Sequence, residues 1–231
     1  MTITANPSVR QVLASVVQDR EYPAIAERPV LSWPHLGLVG VAYGVFAAST
    51  AAYLTGTIPL LVMLVLNQLA IYVSFTPLHD AVHEAASGNE RVNNLVGTVS
   101  AFLFVPGLST TIYRILHMEH HRWVGDKKRD PDILFVHAPK AILPLVLMIP
   151  EWIWTHWYFT KLWRTRPRRE RAMFILTLAI YVGLQAGFLL SPYAREFVLV
   201  WLIPQKIATV VLVYFFAHIQ HPEEANWEEA P

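Results

Sequence analysis

A chain of 231 residues is long enough for one or two soluble domains, but 54% hydrophobic against 15% charged residues points to a membrane protein instead. A formal net charge of +1 gives no basis for nucleic acid as a partner. With no cysteine, disulfides, thiolate zinc sites and cysteine-held iron–sulfur clusters are excluded, so redox chemistry would fall to other ligands.

Residues 1–34 mix Arg10, Asp19, Arg20, Glu21, Glu27 and Arg28 among apolar residues, unlike a secretory signal. They read as a cytoplasmic amino-terminal segment ahead of one membrane domain, 35–231. From Leu36 to His79 no residue is charged, enough for two crossings at about 20 residues each. Gly56 and Pro59 divide the run, which predicts helices over Leu36–Thr55 and Ile58–Leu78 as a first hairpin. The uncharged stretch Val92–Tyr113 contains Asn93, Asn94, Gly97, Pro106 and Gly107 and is read as interfacial or re-entrant rather than crossing. Ile133–Phe159 is interrupted by Pro139, Pro144 and Pro150, and its tryptophans suit the headgroup layer. Ala172–Leu190 and Phe197–Ala217 form a second predicted hairpin, with Lys206 as a blemish that should face protein or water. The fold class is therefore all-α: four transmembrane helices in two hairpins, with interfacial helices on one side.

Orientation follows from the basic residues. Three Lys or Arg precede the first span, thirteen lie between Asp80 and Arg171, and only Arg195 and Lys206 lie elsewhere. This puts the amino terminus and the central segment in the cytoplasm. The basic run Lys161–Arg171 reads first as an anchor to anionic lipid and also as a surface for an acidic partner.

Seven of the ten histidines fall in three groups: His79 and His83 in HDAVH, His117, His120 and His121 in HMEHH, and His218 and His221 in HIQH. Spacings of three and four put side chains on one helix face, so each group can aim its imidazoles at one point. His35, His137 and His156 are read as interfacial or packing residues. Seven imidazoles exceed one tetrahedral zinc, which favours a dinuclear centre, with iron as the metal suited to oxygen. Asp80, Glu84, Glu119, Asp130 and Asp132 are candidates to hold the second ring nitrogens, although carboxylates in such positions also occur simply as solvated loop residues. A non-enzymatic metal-binding or transport protein is a competing class, as is a zinc hydrolase. Transporters usually place their ligands near the bilayer midplane rather than at span ends, and neither Glu84 nor Glu119 stands in an HExxH arrangement.

HDAVH after a membrane hairpin, then RILHMEHHRWVGDKKRDPD, then a second hairpin ending in HIQHP, resembles the membrane fatty acid desaturase superfamily, including bacterial carotenoid ketolases and hydroxylases. The resemblance runs from about Leu36 to the carboxyl end. It implies a di-iron oxidoreductase with two Fe2+ ions held by His79, His83, His117, His120, His121 and either His218 or His221, with O2 as co-substrate. It further implies a lipid substrate, a multi-pass position in a bacterial inner membrane, and a separate ferredoxin-like or cytochrome electron donor. Desaturation of a fatty acyl chain is placed first, and hydroxylation or ketolation of a carotenoid or other apolar lipid second. The superfamily has one more HxxHH group downstream of the fourth span. The sequence ends at Pro231 without it, so the domain is expected to be carboxyl-terminally incomplete.

Overall fold

The uncharged runs can satisfy their backbone only by coiling, and the computed structural model has helices joined by turns and loops, and no strand, among the residues it describes, 9–25 and 27–219. After α1 (Val9–Gln18) and the single turn α2 (Tyr22–Ile25) come two long helices, α3 (Trp33–Leu54) and α4 (Leu60–Val82). The central segment breaks into α5 (Glu90–Phe104), α6 (Thr110–Trp123), α7 (Ile133–His137), α8 (Leu143–Met148) and α9 (Pro150–Trp157), the last running on through a π-turn. After α10 (Arg168–Leu189), the short α11 (Ala194–Phe197) and α12 (Ile203–Val213) form one continuous rod, Ala194–Ile219, with π-helical stretches at Val198–Leu202 and Tyr214–Ile219.

Among the described residues four helices are long and apolar enough to cross a membrane: α3, α4, α10 and the Ala194–Ile219 rod. At 1.5 Å per residue α5 and α6, of 15 and 14 residues, fall short of a core about 30 Å thick. The break between them is built at Gly107, whose φ of +87° suits glycine and where an added Cβ would meet the Ile180 side chain at 2.8 Å. Pro144 and Pro150 stand at the starts of α8 and α9, where the missing N–H costs nothing.

The centre of the bundle is α4. It packs against α3, α5 and the last rod, while α3 and α10 keep most of their apolar surface outside. In lipid an outward apolar face is the solvated one, so internal polar residues do the specifying. Asn67, fully buried in α4, bonds Ser49 and Thr50 of α3 and the Val200 carbonyl of the last rod at 2.8 Å. Lys206 is matched: it pairs with Glu151 and donates to the Met148 carbonyl at 3.0 Å, while Tyr181 donates to the same Glu151 carboxylate at 2.9 Å.

Candidate metal centre

The first two histidine groups meet because two helix ends are cross-linked. α4 ends at Val82 with His79 in its last turn and His83 as its C-cap, four residues apart and on one face. Helix α6 is started by Ser109, whose hydroxyl accepts from the Ile112 N–H, and it carries His117, His120 and His121. Arg114, one turn before His117, donates from Nε to the Val82 carbonyl at 2.9 Å and from Nη2 to the Ala81 carbonyl at 2.8 Å and Asn94 Oδ1 at 3.1 Å. It thereby caps the end of α4, supplying the Val82 carbonyl and adding to the Glu84 N–H already on the Ala81 carbonyl. Asn93 on α5 donates to the same Ala81 carbonyl at 2.6 Å and accepts from the Ala86 N–H. Gly97 lets α5 approach closely, since a Cβ there would lie 2.4 Å from Thr110 Oγ1 and 2.7 Å from Ala81 Cβ.

The result is a ring of imidazoles. His79, His83 and His117 each offer a nitrogen within 4.8 Å of the others. His121 joins them, its ring centre 4.6 Å from that of His117 and 5.0 Å from that of His83. His117 Nε2 lies 3.0 Å from the Nε2 atoms of both His83 and His121. Two lone pairs do not face each other at that distance, so each such pair shares either a proton or a cation. Nitrogens bound at about 2.1 Å to one ion, at right angles, are themselves about 3.0 Å apart. An all-nitrogen set of this kind fits a first-row transition metal.

Electrostatics favour the neutral ring at His117 and His83. Burial, then the neighbouring histidines, push His117 down to about 2. Burial also lowers His83, helped by His79 and Arg114 against the charge of Asp80. His120 differs: burial lowers it, but its bond to Asp130 and the charges of Asp132 and Asp130 outweigh that and raise it. His120 Nδ1 donates to Asp130 Oδ1 at 2.8 Å; Asp130 is 1% exposed and is fixed by the Gly125 and Asp132 N–H groups. Asp132 lies 3.6 Å from the same His120 nitrogen and accepts from Trp154 Nε1 at 2.7 Å.

Among the described residues, His218 donates from Nδ1 to the Phe135 carbonyl at 2.8 Å and stacks on Tyr214, with no ring contact to the imidazoles of the first two groups. His221 is outside the described residues. Asp80 contacts His79 Nδ1 at 3.2 Å. The other two candidate carboxylates turn elsewhere. Glu84, at φ +61° just past α4, pairs with Arg28, and Glu119 pairs with Arg122 and Arg166 and accepts from Trp123. His156 is exposed, and His137 closes α7. His35 is not a mere interfacial ring, because it contacts Ser32 through Nδ1 and Asp80 through Nε2 at 2.7 Å.

His79, His117, His120 and His121 open on a cavity of about 160 Å³ whose other walls include Asp132 and the apolar side chains of Phe75, Phe135, Trp154, Leu212 and Phe216, with Tyr113. Tyr113 stacks on His117, and burial, then the charge of Asp132, raise its hydroxyl so that it stays neutral. A family model described as "Fatty acid desaturase" matches residues 51–231. No curated protein and no solved structure matches the chain.

Proposed function

Because the chain belongs to the fatty acid desaturase family, we propose that this integral membrane protein uses the histidine cluster as a di-iron centre to desaturate a fatty acyl chain in an O2-dependent reaction. The observation that carries the reading is the meeting of the first two histidine groups, with His79, His117, His120 and His121 on the wall of a mostly apolar cavity. His79, His83, His117, His120 and His121 would hold the metal, with His218 or His221 as a further ligand from the last rod. Two bound Fe2+ ions would activate O2, which supplies the oxidising power that an unactivated carbon–hydrogen bond demands, since such a bond has no acidic proton for a base to take.

The chain's own residues do the rest. Asp130 fixes His120 Nδ1–H, and the Phe135 carbonyl fixes His218 Nδ1–H, so in both rings Nε2 carries the lone pair. Phe75, Phe135, Phe216 and Trp154 exclude water and leave methylene-like surface for a lipid chain. Electrons would come from a separate ferredoxin-like or cytochrome donor. The basic run Lys161–Arg171 is the proposed docking surface, tied to the helix of the second histidine group by Arg166 and Glu119 at 3.0 Å. The domain is 35–231, set in a bacterial inner membrane with its amino terminus and histidine groups cytoplasmic.

The test is iron content of the detergent-purified chain after anaerobic Fe2+ loading, beside a His117→Ala, His121→Ala variant. Reconstitution with reduced ferredoxin, O2 and acyl lipid follows, with products read by mass. Two irons lost in the variant, and a product lighter by two hydrogens, support the reading. A product heavier by one oxygen moves the reaction to the hydroxylases, and one that gains an oxygen and loses two hydrogens moves it to the ketolases. Iron without oxidation of any lipid supports a metal-binding or transport role, and absence of iron overturns the metal centre.

A further inference from the structure

We propose that His35, supplied from outside the family-matched residues 51–231, is a positioning residue for the first histidine group, acting through Asp80 on His79. This rests on the metal-centre reading given above. Asp80 is one residue from the ring it touches, and its side chain is 36% exposed. One bond of 3.2 Å between adjacent residues leaves such a carboxylate free to swing. The second oxygen removes that freedom, because His35 Nε2–H donates to Asp80 Oδ2 at 2.7 Å while the Ser32 hydroxyl occupies His35 Nδ1. With Asp80 fixed at both oxygens, His79 Nδ1–H has a fixed acceptor, and its Nε2 becomes the nitrogen presented to the cluster.

His35 itself is held by the segment before it, which runs along the turn that ends α4. The Ser32 N–H donates to the Ala86 carbonyl at 2.9 Å, the Gly88 N–H to the Pro29 carbonyl at 2.7 Å, and the Ser87 hydroxyl to the Val30 carbonyl at 2.6 Å. Arg28 pairs with Glu84, the non-glycine residue at positive φ. Leu36 and Val39 then pack on Ala81, Ala86 and Val96. The strap thus grips the chain on both sides of His83, and His35 is the only imidazole it brings to Asp80 among the described residues.

The experiment uses the full chain in detergent and reads Fe2+ affinity by competition with a chromophoric chelator, together with the visible spectrum of the Co2+-loaded protein. His35→Phe and His35→Ala remove the donor, His35→Gln keeps an N–H, and Arg28→Ala weakens the strap alone. Loss of a group that orients a ligand lowers metal affinity 10–100-fold, and one acting at one remove should sit near the lower end, about tenfold. The expected result is that weakening, with a changed Co2+ spectrum, in Phe and Ala, recovery in Gln, and little change in Arg28→Ala. In an Asp80→Ala background, His35→Phe should cost nothing more.

Wild-type affinity in His35→Phe or His35→Ala overturns the proposal and leaves the metal centre standing. So does a full tenfold cost of His35→Phe without Asp80, or Arg28→Ala matching the His35 losses. If the Phe and Ala variants fail to fold, the Gln variant decides, since a weakened site there also refutes the relay. A wild-type chain that binds neither Fe2+ nor Co2+ removes both readings together.

Discussion

Replacing Arg114 by methionine keeps the aliphatic stem and removes the guanidinium that joins the second histidine helix to the end of the first. Three hydrogen bonds disappear, but the Ala81 carbonyl keeps its bond from Asn93, so the Val82 carbonyl and Asn94 Oδ1 carry the loss. Hydrogen bonds to a charged group contribute roughly 1.5–3 kcal/mol each, and two at the lower end give about 3 kcal/mol. For a chain of this size each kcal/mol moves the midpoint by about 2–4 °C, so tryptophan fluorescence should show Tm lower by roughly 6–12 °C. Because the same bonds set the register of His117 against His79 and His83, Fe2+ affinity should fall with it. Arg114→Lys should recover only part, since an ammonium cannot reproduce the planar fork. A methionine variant that melts within about 2 °C of wild type and binds iron normally would refute the idea that Arg114 holds the two groups in register.

Gly97→Ala should destabilise by about 1–3 kcal/mol and weaken iron binding, because its new methyl collides with Thr110 and Ala81; thermal melts of the single variant and of Gly97→Ala with Thr110→Ala, which removes both Thr110 atoms it meets, check the mechanism. Asp130→Asn should lower iron affinity 10–100-fold by loosening His120, measured by chelator competition. Metal-free protein should lose stability as pH falls below about 6.5. There the unfolded chain protonates residue 117, whereas the folded one, with His117 pushed down to about 2, does not. Between pH 6.5 and 5 that is about 2 kcal/mol from His117, in the same direction as His83. His120 opposes it: its raised folded-state value stabilises below about 6.5 and that contribution is lost as pH rises through it. His117→Gln should flatten the acid limb of Tm against pH.

Hydropathy located the four long helices but misjudged their ends for identifiable reasons. The second helix passes Leu78 to reach Val82 because the charge that closes the apolar run, Asp80, is taken up by His35 and His79. The third starts at Arg168 rather than Ala172, since its basic first turn follows Pro167 and hydropathy cannot count it as helix. Spacing within HDAVH and HMEHH was enough to foresee which imidazoles share a face. What spacing could not supply was the machinery that brings the faces together. Arg114 reaches back 32 residues to Val82 and His35 reaches 45 residues to Asp80, contacts that exist only once the helices have packed. Asp130 is a partial case: its place beside the second histidine group made it a candidate partner for a ring nitrogen, but a charged run such as DKKRDPD shows neither that it would be buried nor that its partner would be His120.

The pairing of Lys206 with Glu151 also bears on how the polypeptide enters the bilayer during synthesis. Lys206 stands at the middle of the Ala194–Ile219 rod, where an ammonium costs a translocating helix about 2.5–3.5 kcal/mol. Its carboxylate partner and the Tyr181 hydroxyl are both translated earlier, so they are already in place when the last rod leaves the ribosome. Insertion of that rod is therefore cooperative with the segment carrying Glu151, and the same 26 residues presented alone to the translocon should integrate less completely than when residues 143–219 are made together.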